Sequence, residues 1–344
     1  MTTAVVIILV FGLLIAWHEL GHYLMAKAVG MRVEEYALGF GPALASRRWG
    51  ETLYALRVVP LGGYVRLAGM EGTPTADPRA FPNRPLWQRF VVILAGPLMN
   101  LILAVLLYAI LFGPVGIPAA TTTIAGTVPG YPARQAGIRP GARIVAVDAR
   151  PVRDWNTVVR RITGRKTRPV RLTVVQDGVR RTVTLVPRWD PAVRAYIVGI
   201  VPRTYQLHLP PGQAVVEGAH QTAYLTAAWA TALFALVTGR GPFQLTGPVG
   251  IAQTIGRATA VGWWDVVNVA AALSANLGLF NLLPIPVLDG SRLFLLGLEG
   301  VRHRALDPER ENLIHMVGFV FLLLLVLVVT VHDIVHLLGV HGSA

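Results

Sequence analysis

The stretch Trp17-His18-Glu19-Leu20-Gly21-His22 lies near the end of an apolar segment, residues 4–29. On a helix, His18 and His22 stand four residues apart, so both imidazoles project from one face and can bind one ion. Glu19 lies beside them, where a carboxylate can take a proton from a metal-activated water molecule. Ionisable groups inside a membrane helix are costly and usually functional. The stretch therefore predicts a zinc site of the hydrolytic kind within an apolar helix.

A third protein ligand is needed, because catalytic zinc generally has three. The chain contains no cysteine, so the ligand must be His, Asp or Glu. Asp289 is the candidate, in the run Asn281-Leu-Leu-Pro-Ile-Pro-Val-Leu-Asp-Gly290. Pro284 and Pro286 break a helix and free backbone groups, which is tolerated at membrane depth only beside protein or a water-filled cavity. We expect Asp289 to meet the two histidines there.

The composition indicates a membrane protein. Of 344 residues, 53% are hydrophobic and only 14% are charged, against roughly 25% charged in a soluble domain. This excludes a simple soluble enzyme. Four segments are long and apolar enough to cross a bilayer, namely residues 4–29, 90–113, 266–283 and 313–331.

A fifth apolar stretch, residues 214–238, carries Glu217, His220 and Gln221 in its first third. It could be a span, a re-entrant element or an interfacial helix. If it crossed completely, Asp289 would finish on the opposite side from the histidines. The predicted metal site therefore favours an interfacial or re-entrant element.

Residues 117–202 have the pattern of a small α+β domain. Strands are predicted at 122–128, 143–147, 170–175, 179–186 and 196–201, and a helix capped by Asp154 runs to Ile162. Asp177-Gly178 is a strong hairpin signal. The element order, with the signature running from Tyr131 to Asp148, resembles the circularly permuted PDZ modules of bacterial proteases. The alternative is another small α+β domain.

Charge is concentrated in that domain, since residues 118–206 contain 16 basic and 4 acidic side chains. The loop at 27–89 contains nine basic and five acidic ones. By the positive-inside rule this shorter loop is cytoplasmic, and the PDZ-like domain is then outside. Its basic surface could meet anionic lipid or acidic substrate tails, or it could be only a solvated face.

Three further polar residues are interpreted as structural. His332 and His336 also stand four apart, but Asp333 replaces glutamate beside them, and we interpret this pair as interfacial. Asn100 lies within the second apolar segment, where a packing role is favoured.

Together these motifs resemble the site-2 protease family of intramembrane zinc metalloproteases, in its bacterial form with a PDZ insertion. The resemblance covers nearly the whole chain and implies His18, His22 and Asp289 as ligands, Glu19 as general base and Asn281 as a substrate-handling or oxyanion-stabilising residue. Its motifs are His-Glu-x-x-His, Gly39-Phe-Gly-Pro42, Pro60-Leu-Gly-Gly-Tyr-Val-Arg66, Arg84-Pro-Leu-Trp-Gln-Arg-Phe90, Ala95-Gly-Pro-Leu-Met-Asn100, Gly247-Pro-Val-Gly250 and the Asn281–Gly290 run.

Substrate binding is assigned to a second group of residues. Residues 51–67 are predicted to form strands 52–59 and 64–67 around Leu61-Gly62-Gly63, a hairpin that could offer an edge strand to an unwound substrate. A surface hairpin with only a structural role is the alternative. The predicted substrate-binding residues are Gly63, Tyr64, Asn281, Pro284 and Pro286.

The sequence thus predicts a polytopic α-helical membrane protein with a four-span core and one inserted α+β PDZ-like domain. Its expected parts are a core with a cytoplasmic hairpin loop (1–116), the extracytoplasmic PDZ-like domain (117–205), linker helices (206–262) and a second core part (263–344).

The predicted activity is zinc-dependent cleavage of transmembrane segments in single-span proteins such as anti-sigma factors, after an upstream site-1-type protease has cut outside. The expected location is the bacterial inner membrane, with no nucleic-acid partner. The alternative is a catalytically silent scaffold with a structural metal and a partner-binding domain.

Overall fold

The computed structural model of the chain describes residues 3–70, 75–191, 193–240, 247–304 and 308–337. The chain divides into two compact units. Residues 1–113 and 210–344 form one unit, here called the helical core, and residues 114–209 form the other, here called the inserted domain.

Helices are numbered in chain order through both units. Those of the helical core are α1 (Thr3–Ala28), α2 (Leu86–Ile110, continued by a wider turn at Leu111–Val115), α5 (Pro211–Val237), α6 (Pro248–Val261), α7 (Trp263–Leu282), α8 (Asp289–Arg302) and α9 (Pro308–Leu337). The inserted domain contains α3 (Pro132–Gln135) and α4 (Trp155–Thr163).

Four of the described helices are long and apolar enough to cross a membrane: Thr3–Ala28, Leu86–Val115, Trp263–Leu282 and Leu313–Val335. They coincide with the four predicted segments. Helix α5, although it has 27 residues, is not among them. Its buried residues, Ala214, Gly218 and Thr222, all lie in its first half. The interfacial or re-entrant assignment of residues 214–238 stays a prediction.

Helix α2 lies at the centre of the helical core, and three neighbours approach its backbone through glycine. A Cβ atom on Gly21 of α1 would lie 2.4 Å from the carbonyl oxygen of Ala95, and one on Gly278 of α7 would lie 3.0 Å from that of Pro97. Gly218 of α5 would meet Val105 in the same way, at 2.7 Å. Small residues let membrane helices pack this closely.

The core also contains a long hairpin, β1 (Val33–Trp49) and β2 (Thr52–Leu67). The predicted strands 52–59 and 64–67 do not pair with each other, so that part of the prediction was wrong. Both pair with residues 33–40 of β1, one on each side. Positive φ angles at Gly39, Gly41 and Gly62 supply the bends.

The inserted domain contains β3 (Ile117–Thr127), β4 (Arg143–Val147), β5 (Arg150–Pro151), β6 (Val170–Gln176), β7 (Val179–Leu185), β8 (Arg188–Asp190), β9 (Ala195–Ile197) and β10 (Ile200–Leu207). The main sheet has the order β10-β3-β4-β6-β7, with β5 on β4, and β8 pairs with β9. Its apolar core includes Ile124, Ile144, Val158 and Leu172. The outermost pair, Ile117 with Leu207, joins the two ends of the domain.

Two local predictions for this domain are confirmed. Asp154 caps α4, since its side chain accepts a hydrogen bond from the backbone N–H of Thr157 at 2.7 Å. Strands β6 and β7 pair across Asp177-Gly178, both with positive φ, as a tight hairpin turn requires.

The predicted strand 196–201 was wrong. The chain instead forms β9 and β10, which pair with different strands. Gly199 separates them with a φ of +76°, and a Cβ atom there would lie 2.1 Å from the Cβ of Tyr131. Only glycine fits such a turn, so the strand ends there.

Candidate metal centre

Three predicted residues meet at one point in the helical core. His18 and His22 stand on successive turns of α1, with their Nε2 atoms 3.2 Å apart. The Oδ2 atom of Asp289, the first residue of α8, lies 3.0 Å from Nε2 of His18 and 3.3 Å from Nε2 of His22. Within the described ranges, these residues form the one group of three that could hold a metal ion.

The spacing of the donor atoms fits zinc. Bonds of 2.0–2.1 Å in a tetrahedral site place neighbouring ligand atoms about 3.3 Å apart. Nδ1 of His22 lies 2.8 Å from the carbonyl oxygen of Val92, and because a carbonyl can only accept, the ring proton sits there and leaves Nε2 bare. Oδ2 of Asp289 is buried and has no hydrogen-bond donor among the described residues. A cation between these atoms would satisfy all of them.

The turn between α7 and α8 brings Asp289 to the histidines. As predicted, the helix breaks at the two prolines, Pro284 and Pro286. The backbone N–H of Val287 donates to Nδ1 of His315 on α9 at 3.2 Å, and Val287 has a φ of +80°, which is unusual for a β-branched residue. Such strain persists only where the surroundings hold it, so α9 helps to fix this turn.

Helix α2 forms the floor of the site. Val92, Gly96 and Asn100 are spaced by four residues and share one face. A Cβ atom on Gly96 would lie 2.2 Å from Nε2 of His22 and 2.9 Å from Cε1 of His18. The imidazoles therefore rest directly on the α2 backbone. Sequence reasoning missed this floor, although the spacing of four was present.

Glu19 lines a cavity of about 250 Å³ together with the three metal-site residues. Of the predicted substrate-binding residues, Tyr64 and Asn281 also line it, whereas Pro284 and Pro286 do not. Gly63 packs against Glu19, because a Cβ atom there would lie 3.2 Å from Cγ of Glu19. Lining residues that were not predicted are Val65, Leu67, Met70, Ile93, Val287 and Leu288.

Polar contacts hold the β1–β2 hairpin beside α1, the helix that carries His18 and His22. The hydroxyl of Tyr36 donates to the carbonyl oxygen of Ala16 at 3.1 Å. Glu35 of β1 is buried and accepts hydrogen bonds from Arg57 and Arg66 of β2. Burial opposes ionisation of Glu35, but hydrogen bonds from Arg57 and Tyr64, with the charge of Arg66, outweigh it and hold its pKa below the usual value. Ion pairs therefore link the two strands of the hairpin.

The second histidine pair has a different neighbourhood. Asp333 accepts hydrogen bonds from the backbone N–H groups of Gly247 and Gly250, at 3.3 and 2.8 Å. It thus caps the start of α6, a structural role. The side chain of His336 lies outside the described residues, and the interfacial interpretation of this pair stays a prediction.

A comparison with protein families supplies the identity. The model of Peptidase family M50 matches residues 6–325. The chain belongs to Peptidase family M50. This confirms the resemblance to the site-2 proteases of that family.

The names of this chain's relatives agree with the family assignment. A Clostridium acetobutylicum protein provisionally named a zinc metalloprotease is 35% identical, over 96% of this chain and 97% of its own. Zinc metalloprotease RasP of Geobacillus kaustophilus is 30% identical, over 95% and 96%. Regulator of sigma-W protease RasP of Bacillus subtilis is 29% identical, over 96% and 98%.

The M50 chain is therefore a zinc metalloprotease, and its four apolar helices and its family make it a multi-pass membrane protein.

Among solved structures, the PDZ domain of an SdrC-like protein from Listeria innocua covers 26% of this chain and 99% of its own, at 12% identity and a TM-score of 0.23. A solution structure from Geobacillus thermodenitrificans covers 24% and 90%, at 24% identity and a TM-score of 0.20.

Proposed function

We propose that this metalloprotease cuts its substrates within the membrane, in the transmembrane segments of single-span proteins. The observation that carries the proposal is the convergence of His18, His22, Asp289 and Glu19 on one cavity, with both histidines on a helix apolar enough to cross a membrane. A site for soluble substrates would not need to lie among such helices. A substrate that stays within the membrane, in contrast, can reach a catalytic site only if that site lies among such helices.

In this proposal His18, His22 and Asp289 are the zinc ligands and Glu19 is the general base. Zinc, when bound, lowers the pKa of a water molecule and polarises the scissile carbonyl. Glu19 takes the proton of the attacking water and delivers it to the leaving amine. Cγ of Glu19 packs against Gly63 of β2, where an added Cβ atom would lie 3.2 Å away, so the hairpin borders the general base.

The hairpin is proposed to hold the substrate in an extended form. A transmembrane helix hides its carbonyl groups in internal hydrogen bonds, so the substrate must unwind before cleavage. Among the strand pairs of the described chain, residues 63–67 have a partner on one side only. Tyr64, Val65 and Leu67 of that edge line the cavity. A substrate strand added there would replace its lost hydrogen bonds beside the metal.

Asn281 is proposed to handle the unwound substrate or to donate to the oxyanion, a contribution of about 3 kcal/mol for such donors. Its position in the cavity wall supports this. Separate measurements of turnover and substrate binding for Asn281→Ala distinguish the two roles, because loss of an oxyanion donor lowers turnover with little change in binding.

The inserted domain is proposed to be a PDZ-like module outside the bacterial inner membrane. It would admit substrates already trimmed by a site-1-type protease, through their size or their new C-termini. The name of one relative, regulator of sigma-W protease, supports anti-sigma factors as the substrate class. The charge of the 27–89 loop supports the orientation.

The test is cleavage of a substrate with one transmembrane segment by the wild type and by Glu19→Gln, with zinc content measured in parallel. We expect the variant to retain zinc and to lose cleavage, since glutamine cannot accept the proton. Equal cleavage by the two proteins would refute the proposed mechanism. If neither protein cut any single-span substrate, the proposed intramembrane cleavage would be refuted.

A further inference from the structure

We propose that Asn100 is a positioning residue for the metal site. Its amide oxygen accepts the Nδ1–H of His18 and so leaves Nε2 of that ring bare for zinc. The inference rests on the proposed ligand role of His18. Asn100 is fully buried in α2, and its side-chain amide lies 3.1 Å from Nδ1 of His18.

A neutral histidine carries one proton, on either Nδ1 or Nε2. Nε2 of His18 is the atom 3.0 Å from Asp289 and 3.2 Å from Nε2 of His22, so it is the ligand atom. The proton must then sit on Nδ1, and a buried Nδ1–H requires an acceptor.

His22 already has the kind of hydrogen bond at Nδ1 that we propose for His18. Its Nδ1 faces the carbonyl oxygen of Val92 at 2.8 Å, and that oxygen can only accept. Val92 and Asn100 lie on the same face of α2, eight residues apart. Each imidazole thus has one α2 group at its Nδ1: a backbone carbonyl for His22 and a side-chain amide for His18.

The two ends of the amide are not equivalent in this role. Nδ2 of Asn100 faces Nδ1 of His18, while Oδ1 is buried and has no hydrogen-bond donor among the described residues. With Nδ2 donating, the proton of His18 would occupy Nε2 and block zinc. A half-turn of the amide exchanges two groups of nearly the same shape. It places Oδ1 at Nδ1 and gives this acceptor its missing donor.

The backbone of Asn100 is fixed independently of its amide. The hydroxyl of Ser274 on α7 donates to the carbonyl oxygen of Asn100 at 2.7 Å, and both residues are fully buried. Ser274 makes no hydrogen bond to the amide in the described structure. It therefore offers a matched control, because its removal disturbs the same helix contact and leaves the contact with His18 intact.

The experiment measures the zinc dissociation constant of the full-length protein in detergent, by competition with a chelator. Asn100→Leu removes the acceptor and keeps the size, so we expect zinc to bind about 10–100-fold more weakly, as when other groups that orient metal ligands are removed. Asn100→Asp can only accept, so its zinc affinity should equal or exceed that of the wild type. Ser274→Ala should stay within about threefold of the wild type.

Three outcomes would overturn the inference. Equal loss in Asn100→Asp and Asn100→Leu would mean that the amide acts as a donor. Equal loss in Ser274→Ala and Asn100→Leu would mean that only packing matters. Unchanged affinity in all variants would leave Asn100 no part in metal binding.

Should Asn100→Leu not fold, weaker zinc binding by Asn100→Asp would still refute the inference, and the absorption spectrum of bound Co²⁺ would report on its metal site. This spectrum should match that of the wild type if the ring orientation of His18 is kept. None of these readouts requires cleavage, so the proposed intramembrane cleavage can fail while this inference stands.

Discussion

At the scale of single residues, Gly96 decides whether the two imidazoles can occupy their places. Because they lie on the α2 backbone, the contact cannot be relieved by rotating a side chain of α2. A methyl group at this position would lie 2.2 Å from Nε2 of His22. The backbone of α2 thus forms a rigid wall of the candidate metal site, whose two histidines lie on α1.

We therefore expect Gly96→Ala to weaken zinc binding by about 10–100-fold, the equivalent of an overpacking cost of roughly 1–3 kcal/mol. Zinc titration of the detergent-solubilised protein measures this. Gly12→Ala on α1 is the control, since nothing lies within 4 Å of the added methyl group. Unchanged affinity in Gly96→Ala would show that the imidazoles can move away without cost.

Some of these residues could be predicted from the sequence, and others could not. His18, His22 and Glu19 follow from a local spacing, and Asp289 follows from the cost of an unpaired charge at a broken helix. The contribution of Val92 is a main-chain carbonyl, which every residue type has. Gly96 and Asn100 acquire their meaning only from the way α1 lies on α2, which no local pattern specifies.

At the scale of elements, the position of α8 matters most, because Asp289 is its first residue. Glu299, further along α8, accepts two hydrogen bonds from Arg89 near the start of α2, at 2.5 and 3.0 Å. Both side chains are largely buried, at 14% and 18% exposure. This bidentate pair ties α8, which carries the proposed third ligand, to α2, which forms the floor of the candidate site.

We expect Glu299→Gln to lower the free energy of unfolding by about 3 kcal/mol, because it leaves the charge of Arg89 partly buried without its partner. Zinc affinity should fall as well, since α8 is then less firmly held. The charge-reversed pair Arg89→Glu with Glu299→Arg should recover much of both losses. Arg302→Gln, on the same helix but exposed, is the control. A double variant no better than either single one would argue against the pair.

The hairpin shows why one element was missed. Residues 33–49 contain Glu34-Glu35, Arg47-Arg48 and two glycines, a composition that favours a loop. In the structure, Glu35 is buried between arginines that are distant in the sequence. Pairing with β2 thus overrides the local preference. By contrast, the inserted domain has clear alternation and turn signals, and four of its eight described strands, β3, β4, β6 and β7, were predicted.

At the scale of the whole molecule, the helical core, which contains the candidate metal site, is interrupted in the sequence by a separate domain. We expect replacement of residues 118–206 by a short linker to broaden the range of cleaved substrates and to leave zinc binding intact, because all predicted ligands lie in the core. Zinc content and cleavage of long and pre-trimmed substrates measure this. A folded, zinc-loaded deletion that cuts nothing would contradict this division of roles.

The pairing of Ile117 with Leu207 has a further consequence. The two chain crossings into the inserted domain run side by side, as the termini of many exchangeable domains do. A single recombination event could therefore exchange, duplicate or shorten this domain. The two chain segments that connect it to the helical core would keep the same spacing. Lineages could change which proteins they admit without reworking the chemistry that cuts them.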